Sequence, residues 1–218
     1  MGEGTAPEAA HRRARTDARV IANRQRIARA AQARFHRAGY AATTLADIAH
    51  DAGCAIQTIY NTVGGKAAVL ELVLDTAVAG PHTPAAPPDF LAVRAAEATD
   101  VDAMFVLLAD WFVEVHPRLA PVLRAIEEAA ASDPDVGELA RRRTLQRFDH
   151  YQLAATRIAE LGGPSGPTAA ADGAAAIWAI GHPRTYDLLV ADLGWSRAEY
   201  RRWVLVSLQR QFPTGTPT

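Results

Sequence analysis

The sequence predicts an all-α protein with a small N-terminal head and a larger helical body. Three observations predict this class. Apolar residues recur at the three- and four-residue spacings of amphipathic helices, and no stretch alternates as a strand does. The Pro-rich stretch GPHTPAAPP, residues 80–88, separates two helical regions. The 218 residues are 49% hydrophobic, which is enough for one or two domains with a substantial core.

Charge is distributed unevenly along the chain. Residues 1–66 carry ten Lys and Arg against five Asp and Glu, whereas the remainder carries 13 against 19. A basic head on an acidic body predicts a polyanionic partner for the head. The alternative is an Arg-rich tail that is merely solvated.

The composition excludes several classes of protein. No apolar run reaches the roughly 18–20 residues that span a bilayer, and the polar, Arg-rich N-terminus is unlike a secretory signal. The single cysteine, Cys54, excludes an internal disulfide and a cysteine-based zinc site. We therefore expect a cytoplasmic protein with no membrane partner.

Three regions are predicted. Residues 1–22, with almost no large apolar side chains, are expected to form a flexible Arg-rich arm. Residues 23–79 form the head and its connecting helix, and residues 80–218 form the body. The first helix is expected to begin at Asn23 and to end at Gly39.

The second and third predicted helices are short. Thr43 and Thr44 are candidate N-caps, and the segment from Thr44 to Asp47 fits a capping box. Gly53 ends the second helix because glycine adopts the left-handed conformation easily. The third helix lies in AGCAIQTIYNTVGGK, residues 52–66. One side is apolar and is expected to pack in the core: Ile56, Ile59, Tyr60 and Val63.

Two short helices joined by a tight glycine turn are typical of a helix-turn-helix. Ala49, Gly53 and Ile59 have the spacing that this motif needs, with a small residue where the helices cross and an apolar one between them. The second helix of the motif enters the DNA major groove, so its outward side chains must bond to base edges. The polar side here has that chemistry: Gln57, Thr58, Asn61 and Thr62. The alternative is a solvated polar face.

The remaining pattern predicts a connecting helix and a helical body. The connecting helix runs from Lys66 to about Ala79. Body helices are expected at about 89–98, 101–115, 118–131, 135–161, 167–181, 183–192 and 196–211, with a break at Pro117 among others.

The head resembles that of the TetR family of bacterial transcriptional repressors. The matching positions are Ile27, Ala30, Ala31, Phe35, Gly39, Tyr40, Thr43, Ile48, Ala49, Ala52, Gly53, Ile59, Tyr60, Lys66 and Leu70. Residues 176–204 are also similar to C-terminal segments of some members. The resemblance implies a three-helix DNA-binding domain joined by helix four to a larger ligand-binding and dimerisation domain.

The resemblance also implies which head residues contact a double-stranded DNA operator. The expected contacts are Arg24, Thr43, Thr44, Gln57, Thr58, Tyr60, Asn61, Thr62 and Lys66. Tyr60 is expected to pack inward with its hydroxyl at a phosphate. The chain departs from the family pattern at Ala55, where a capping Ser is usual, at Val63, where Phe is usual, and at Gly64-Gly65.

In the body the resemblance implies an effector pocket and a homodimer seam. The aromatic-rich candidates for a hydrophobic or aromatic effector are Phe105, Leu108, Trp111, Phe112, His116, Phe148, Tyr151 and Trp178. The candidates for the dimer interface are Ala170, Ala174, Trp178, Trp203, Leu205 and Leu208. The alternative for every one of these residues is packing within one chain.

The function expected from the resemblance is a ligand-responsive regulator, most simply a repressor, that leaves a palindromic operator when an effector binds. The rival is a helical protein-interaction module with a degenerate head. An enzyme is not expected, because the sequence shows no phosphate-binding loop, nucleophile elbow or metal-spaced His or acidic cluster. No cofactor is expected.

Overall fold

The computed structural model describes residues 6–80, 88–164 and 168–212, and within these the side chains from residue 17 to 80 and from residue 93 onward. The described residues are helical and contain no strand, as the sequence predicts. The helices are α1 (Ala6–Ala42), α2 (Leu45–Ala52), α3 (Ile56–Thr62), α4 (Lys66–Ala79), α5 (Pro88–Glu97), α6 (Val101–Ala130), α7 (Pro134–Glu160), α8 (Ala169–Ile180), α9 (Pro183–Tyr186), a π-helix (Asp187–Asp192) and α10 (Arg197–Gln211).

The first helix is longer than predicted. It begins at Ala6, so most of the arm expected over residues 1–22 belongs to α1. The segment is rich in Ala and Arg, which favour helix formation even without the apolar stripe that marks an amphipathic helix. Gly39, at φ 77°, kinks the end of α1 near its predicted stop.

The two short helices form where the local signals placed them. Thr44 caps α2 by accepting from the Asp47 amide, and the Asp47 side chain accepts from the Thr44 amide, which completes the predicted capping box. Gly53 ends α2 with the left-handed φ of 62°. Ile48, Ala49 and Ile59 fill the angle between α2 and α3.

The connecting helix α4 is buried on most of its surface, since it packs against α1 on one side and against α6 and α7 on the other. The body helix α6 continues through Pro117 and Pro121, so the predicted break at Pro117 is wrong. Each proline removes one helical hydrogen bond. The buried apolar face, which runs from Val101 to Ala129 on both sides of the prolines, keeps the helix continuous.

The body is a bundle in which α7 packs on α6 and α8, and α10 packs on α6 and α8. Its core includes Phe105, Phe112, Ile158, Ile177 and Tyr200. Among the described residues, no helix is long and apolar enough to cross a membrane. Within the same residues no group of His, Cys, Asp and Glu side chains is placed to hold a metal ion.

Candidate functional site

The outward face of α3 presents two amides. Gln57 and Asn61, one turn apart, are both exposed, and Gln57 Nε2 donates to Asn61 Oδ1 at 2.9 Å. Ile59, on the opposite side of this short helix, is fully buried. The hydrogen bond orients the two amides together, so the face offers a preformed set of donors and acceptors.

Two side chains that the sequence placed in the core lie outside it. Tyr60 is 51% exposed and Ile56 is 42% exposed, so the prediction that they pack inward is wrong. A seven-residue helix has only a narrow buried side, and Ile59 with half-buried Val63 fills it. The exposed face of α3 therefore consists of Ile56, Gln57, Tyr60 and Asn61.

The two threonines of α3 lie nearer the protein. Thr58 and Thr62 are half-buried, and the Thr62 hydroxyl donates to the Thr58 carbonyl at 2.6 Å. The Thr62 proton is thus used within the helix, and only its oxygen is left as an acceptor.

Arg24 holds the end of α3. Its Nη1 donates to the Thr62 carbonyl at 2.8 Å, across 38 residues of sequence. Carbonyls in the last turn of a helix lack partners within the helix, and this guanidinium supplies one. Arg24 thus connects α1 to the C-terminal end of α3, a role that the sequence did not indicate.

The two threonines before α2 differ in position. Thr43 is 2% exposed and its hydroxyl donates to the Gly39 carbonyl at 2.8 Å, so the structure contradicts its assignment to the DNA surface. Thr44 is exposed at the start of α2, as expected for a residue beside a backbone phosphate.

Lys66 is the first residue of α4 and lies beside the C-terminal end of α1. Its Nζ lies 4.2 Å above the centre of the Tyr40 ring and donates to the Ala41 carbonyl at 3.3 Å. Partial burial lowers the pKa of Lys66. An ammonium has three donors, so this one keeps capacity for an anion outside the protein.

Head and body are joined by a polar contact at the end of α1. The Tyr40 hydroxyl donates to Asp133 Oδ2 at 2.8 Å, and Asp133 is the N-cap of α7. Burial and this bond to the Asp133 carboxylate raise the pKa of Tyr40, so the phenol stays protonated. The contact fixes the last turn of α1 against the start of α7.

Four charged residues connect α4 to α7. Arg142 Nη2 lies 2.8 Å from Glu71 Oε1, and Arg143 Nη2 lies 2.9 Å from the same oxygen and 2.5 Å from Asp75 Oδ1. Burial raises the pKa of Asp75, although Arg143 opposes that effect. We name this group the α4–α7 ion cluster.

A cavity of about 170 Å³ lies beside the ion cluster, between α4, α6, α7 and α9. Its apolar wall comes from Leu74, Val78, Trp111, Val115, Leu119, Ala120, Leu123, Ile126, Ala140 and Pro183. Its polar wall comes from Asp75, His116, Arg124, Glu127, Arg143, Thr144, Gln146, Arg147, His150, Tyr151, His182, Arg184 and Asp187. The connecting helix therefore contributes directly to the wall of the cavity.

The cavity contains only part of the aromatic set that the sequence proposed. Trp111, His116 and Tyr151 line it. The other five pack elsewhere in the core or at its edge: Phe105, Leu108, Phe112, Phe148 and Trp178. The arginines and acids of the wall were missed, because their convergence depends on long-range packing that no local pattern encodes.

His116 is a neutral group in the cavity wall. It is 1% exposed, stacks on Phe112 with ring centres 5.2 Å apart, and its Nδ1 lies 3.1 Å from the Tyr200 hydroxyl. Burial lowers the pKa of His116 to about 3. Burial also raises the pKa of Tyr151 to about 12, and its hydroxyl donates to the Gly181 carbonyl at 3.3 Å.

The predicted dimer residues separate into two groups. Ala174 and Leu208 are fully buried within the chain, which contradicts their assignment to an interface. Trp178 packs against Phe148 and Tyr151 in the same chain. The outer faces of α8 and α10 still expose Ala170 and leave Trp203 and Leu205 half-buried, so these three stay candidates.

Comparison with known proteins gives one family match. Residues 27–73 match the model of the family described as bacterial regulatory proteins, tetR family. No protein with a curated description matches the chain.

Solved structures share the fold over nearly the whole chain. A protein assigned to the TetR family of transcriptional regulators from Mesorhizobium loti is 20% identical over 88% of this chain and 96% of its own, with a TM-score of 0.68. SmeT, solved as a complex with triclosan, is 20% identical over 90% of this chain and 99% of its own, at 0.65. NalD from Pseudomonas aeruginosa, the secondary repressor of the MexAB-OprM multidrug efflux pump, is 17% identical over 87% and 96%, at 0.63.

Proposed function

We propose that this chain is a TetR-family transcriptional repressor that binds a palindromic operator as a homodimer in the bacterial cytoplasm and leaves it when a small molecule fills the body cavity. The observation that carries the proposal is the position of α4. Its first residue, Lys66, packs at the head, and Leu74, Asp75 and Val78 near its other end line the cavity.

DNA reading is assigned to the exposed face of α3. A Gln or Asn amide can bond to adenine through N6 and N7, and exposed Gln57 and Asn61 are such groups. Tyr60 on this face, Thr44 at the start of α2 and Lys66 at the start of α4 supply groups for backbone phosphates. Thr58 and Thr62, which are half-buried, contribute at the edge of the surface.

Release is assigned to the ion cluster and the cavity wall. A ligand in the cavity touches α4 directly and lies against Arg143, which pairs with Asp75. Any preference of the ligand for a different position of α4 moves the head, because α4 packs along α1. A tilt of the two heads of a dimer takes them out of register with major grooves about 34 Å apart.

The comparisons support repression and ligand binding without identifying the ligand. NalD is a repressor and SmeT binds triclosan, an aromatic compound, within the same fold. A cavity of about 170 Å³ is smaller than typical small-molecule sites, which have roughly 300–1,000 Å³, so a compact effector is expected.

Selection from random duplex DNA tests the proposal. The purified full chain is incubated with random duplexes at moderate salt, and the bound fraction is sequenced through several rounds. Enrichment of an inverted repeat supports a dimer that reads sequence. Binding without enrichment, lost as salt rises, rejects base reading. The exposed Ile56 and Tyr60 would then favour a protein-contact surface on α3.

A further inference from the structure

The cavity wall contains one more arginine than carboxylates. Three carboxylates line it, and each is paired with an arginine: Asp75 with Arg143 at 2.5 Å, Asp187 with Arg124 at 2.6 Å, and Glu127 with Arg184 at 2.7 Å. A fourth arginine, Arg147, lines the same cavity.

Arg147 has no acidic partner within ion-pairing distance in the described part of the chain. Its guanidinium carbon lies 4.5 Å from the centre of the Trp178 ring, and its Nε is buried with no hydrogen-bond acceptor. Burial lowers the pKa of Arg147, and Glu127, already paired with Arg184, acts on it only from a distance. A largely buried cation without a counter-ion is costly to the folded state.

A second donor faces Arg147. Arg147 Nη2 lies 3.4 Å from His182 Nε2, and this contact is a hydrogen bond only in the tautomer whose Nε2 carries no proton. The Arg184 amide donates to His182 Nδ1 at 3.1 Å, so the single ring proton belongs on Nε2. Burial and the Arg147 charge lower the pKa of His182, which keeps the ring neutral. Two donors therefore point toward each other and lack a common acceptor.

Part of the cavity lining is apolar. Leu74, Trp111, Leu119 and Ile126 belong to it. An apolar cavity of about 150 Å³ holds one benzene ring, and this cavity has about 170 Å³. The site therefore has space for one ring beside one anionic group.

From these observations we propose that the effector is a single-ring aromatic monocarboxylate, with its carboxylate between Arg147 and His182 Nε2 and its ring against the apolar wall. The inference rests on the proposed function for the role of the ligand, but binding itself does not depend on DNA. The carboxylate supplies the acceptor that both donors lack and neutralises the unpaired guanidinium.

Calorimetry and thermal unfolding of the full chain test the inference with benzoate and phenylacetate, their neutral amides benzamide and phenylacetamide, and acetate, which lacks the ring. We expect at least one aromatic carboxylate to bind about tenfold or more tightly than its amide, because charge-assisted hydrogen bonds are lost in the amide. Acetate should bind more weakly than the aromatic acid. Equal binding of acid and amide, or binding of no carboxylate, overturns the inference.

Two variants locate the site. Arg147→Met removes the charge and keeps the length, and it should abolish the preference for the acid over the amide. Arg201→Met removes an arginine that pairs with Asp110 outside the cavity lining, and it should keep the preference. Retention of the preference in Arg147→Met overturns the assignment. Thermal unfolding without ligand shows that each variant is folded.

The outcomes separate this inference from the proposed function. If an aromatic acid binds through Arg147 and the affinity for a selected operator does not change, the anion-binding site is confirmed and the role of its ligand as the effector is rejected. If only neutral aromatic compounds bind and they release the operator, the proposed function as a ligand-responsive regulator is supported and the anionic ligand is rejected.

Discussion

Arg24 Nη1 donates to the carbonyl oxygen of Thr62 at 2.8 Å, which ties the middle of α1 to the last turn of the helix that carries Gln57 and Asn61. The hydrogen bond matters because Ala55, at the other end of α3, provides no side-chain cap. The short helix thus depends on Ile59 beneath it and Arg24 at its end for its orientation.

Replacing Arg24 with Gln should lower operator affinity by about tenfold, the effect of losing one charged hydrogen bond. Since Arg24 acts here on α3 and not on a phosphate, the slope of log affinity against log salt should stay unchanged. Loss of a phosphate contact would instead reduce the slope by about one. Anisotropy titrations at several salt concentrations measure both. Arg26→Gln, which leaves Thr62 bonded, is the matched control for head stability.

Gln57→Ala and Asn61→Ala should each relax sequence preference. A bidentate amide contact to adenine contributes about 1–3 kcal/mol of discrimination, so preference should disappear at one position in each half-site. Repeated selection with each variant measures this. Gln152→Ala, an exposed amide on α7, should leave the selected sequence unchanged. Identical logos from all variants would show that α3 does not read bases.

The ion cluster should couple Asp75 to Arg143. A double-mutant cycle with Asp75→Asn and Arg143→Gln, followed by chemical unfolding, should give a coupling energy of about 1 kcal/mol or more, because both groups are partly buried. The exposed pair Glu127 and Arg184 serves as control and should couple by about 0.5 kcal/mol or less. Equal coupling energies in the two pairs would contradict the expectation that the cluster holds α4 to α7 more strongly than an exposed ion pair does.

His116 should make the protein less stable in acid. Its pKa is about 3 in the folded chain against about 6.5 for a free imidazole, so the unfolded state binds the proton first. The free energy of unfolding therefore falls as pH falls from about 6.5 toward 3, by up to about 1.4 kcal/mol per unit from this group. His116→Gln should show a shallower slope in urea unfolding across this range. Because burial also lowers the pKa of His182, part of the slope should persist.

Gly181 should not tolerate a side chain. A Cβ built there would lie 2.1 Å from the Phe112 ring, although the backbone at φ −92° is ordinary. Gly181→Ala should therefore destabilise the body by about 1–3 kcal/mol through overpacking. Gly137→Ala, on α7 with its nearest neighbour at an ordinary 3.6 Å, should be neutral or stabilising. Thermal unfolding compares the two, and an equal effect would contradict the steric explanation.

The sequence predicted what local chemistry determines. The capping box of Thr44 and Asp47, the left-handed turn at Gly53 and the end of α4 depend on neighbours within a few residues, and the structure confirms them. The family match over residues 27–73 confirms the resemblance on which the DNA-binding assignment was based.

Long-range packing explains what the sequence analysis missed. Thr43 is buried and Tyr60 is exposed, the reverse of what was predicted, because their burial depends on how the head helices pack together. Arg147 and His182 are 35 residues apart and meet only when α7 packs against α8 and the turn that follows it. Pro117 predicted a break because proline is unfavourable inside a helix. The continuous buried face of α6 compensates for that local cost.

The coupling between cavity and DNA is tested most directly by the dissociation constant of the selected operator, measured by fluorescence anisotropy. The constant is measured with and without a ligand that calorimetry shows to occupy the cavity. The account predicts that saturating ligand weakens operator binding about tenfold or more, and that operator weakens ligand binding by the same factor, because coupling between sites is reciprocal. An unchanged dissociation constant with the cavity fully occupied would contradict the connection through α4 from cavity to DNA.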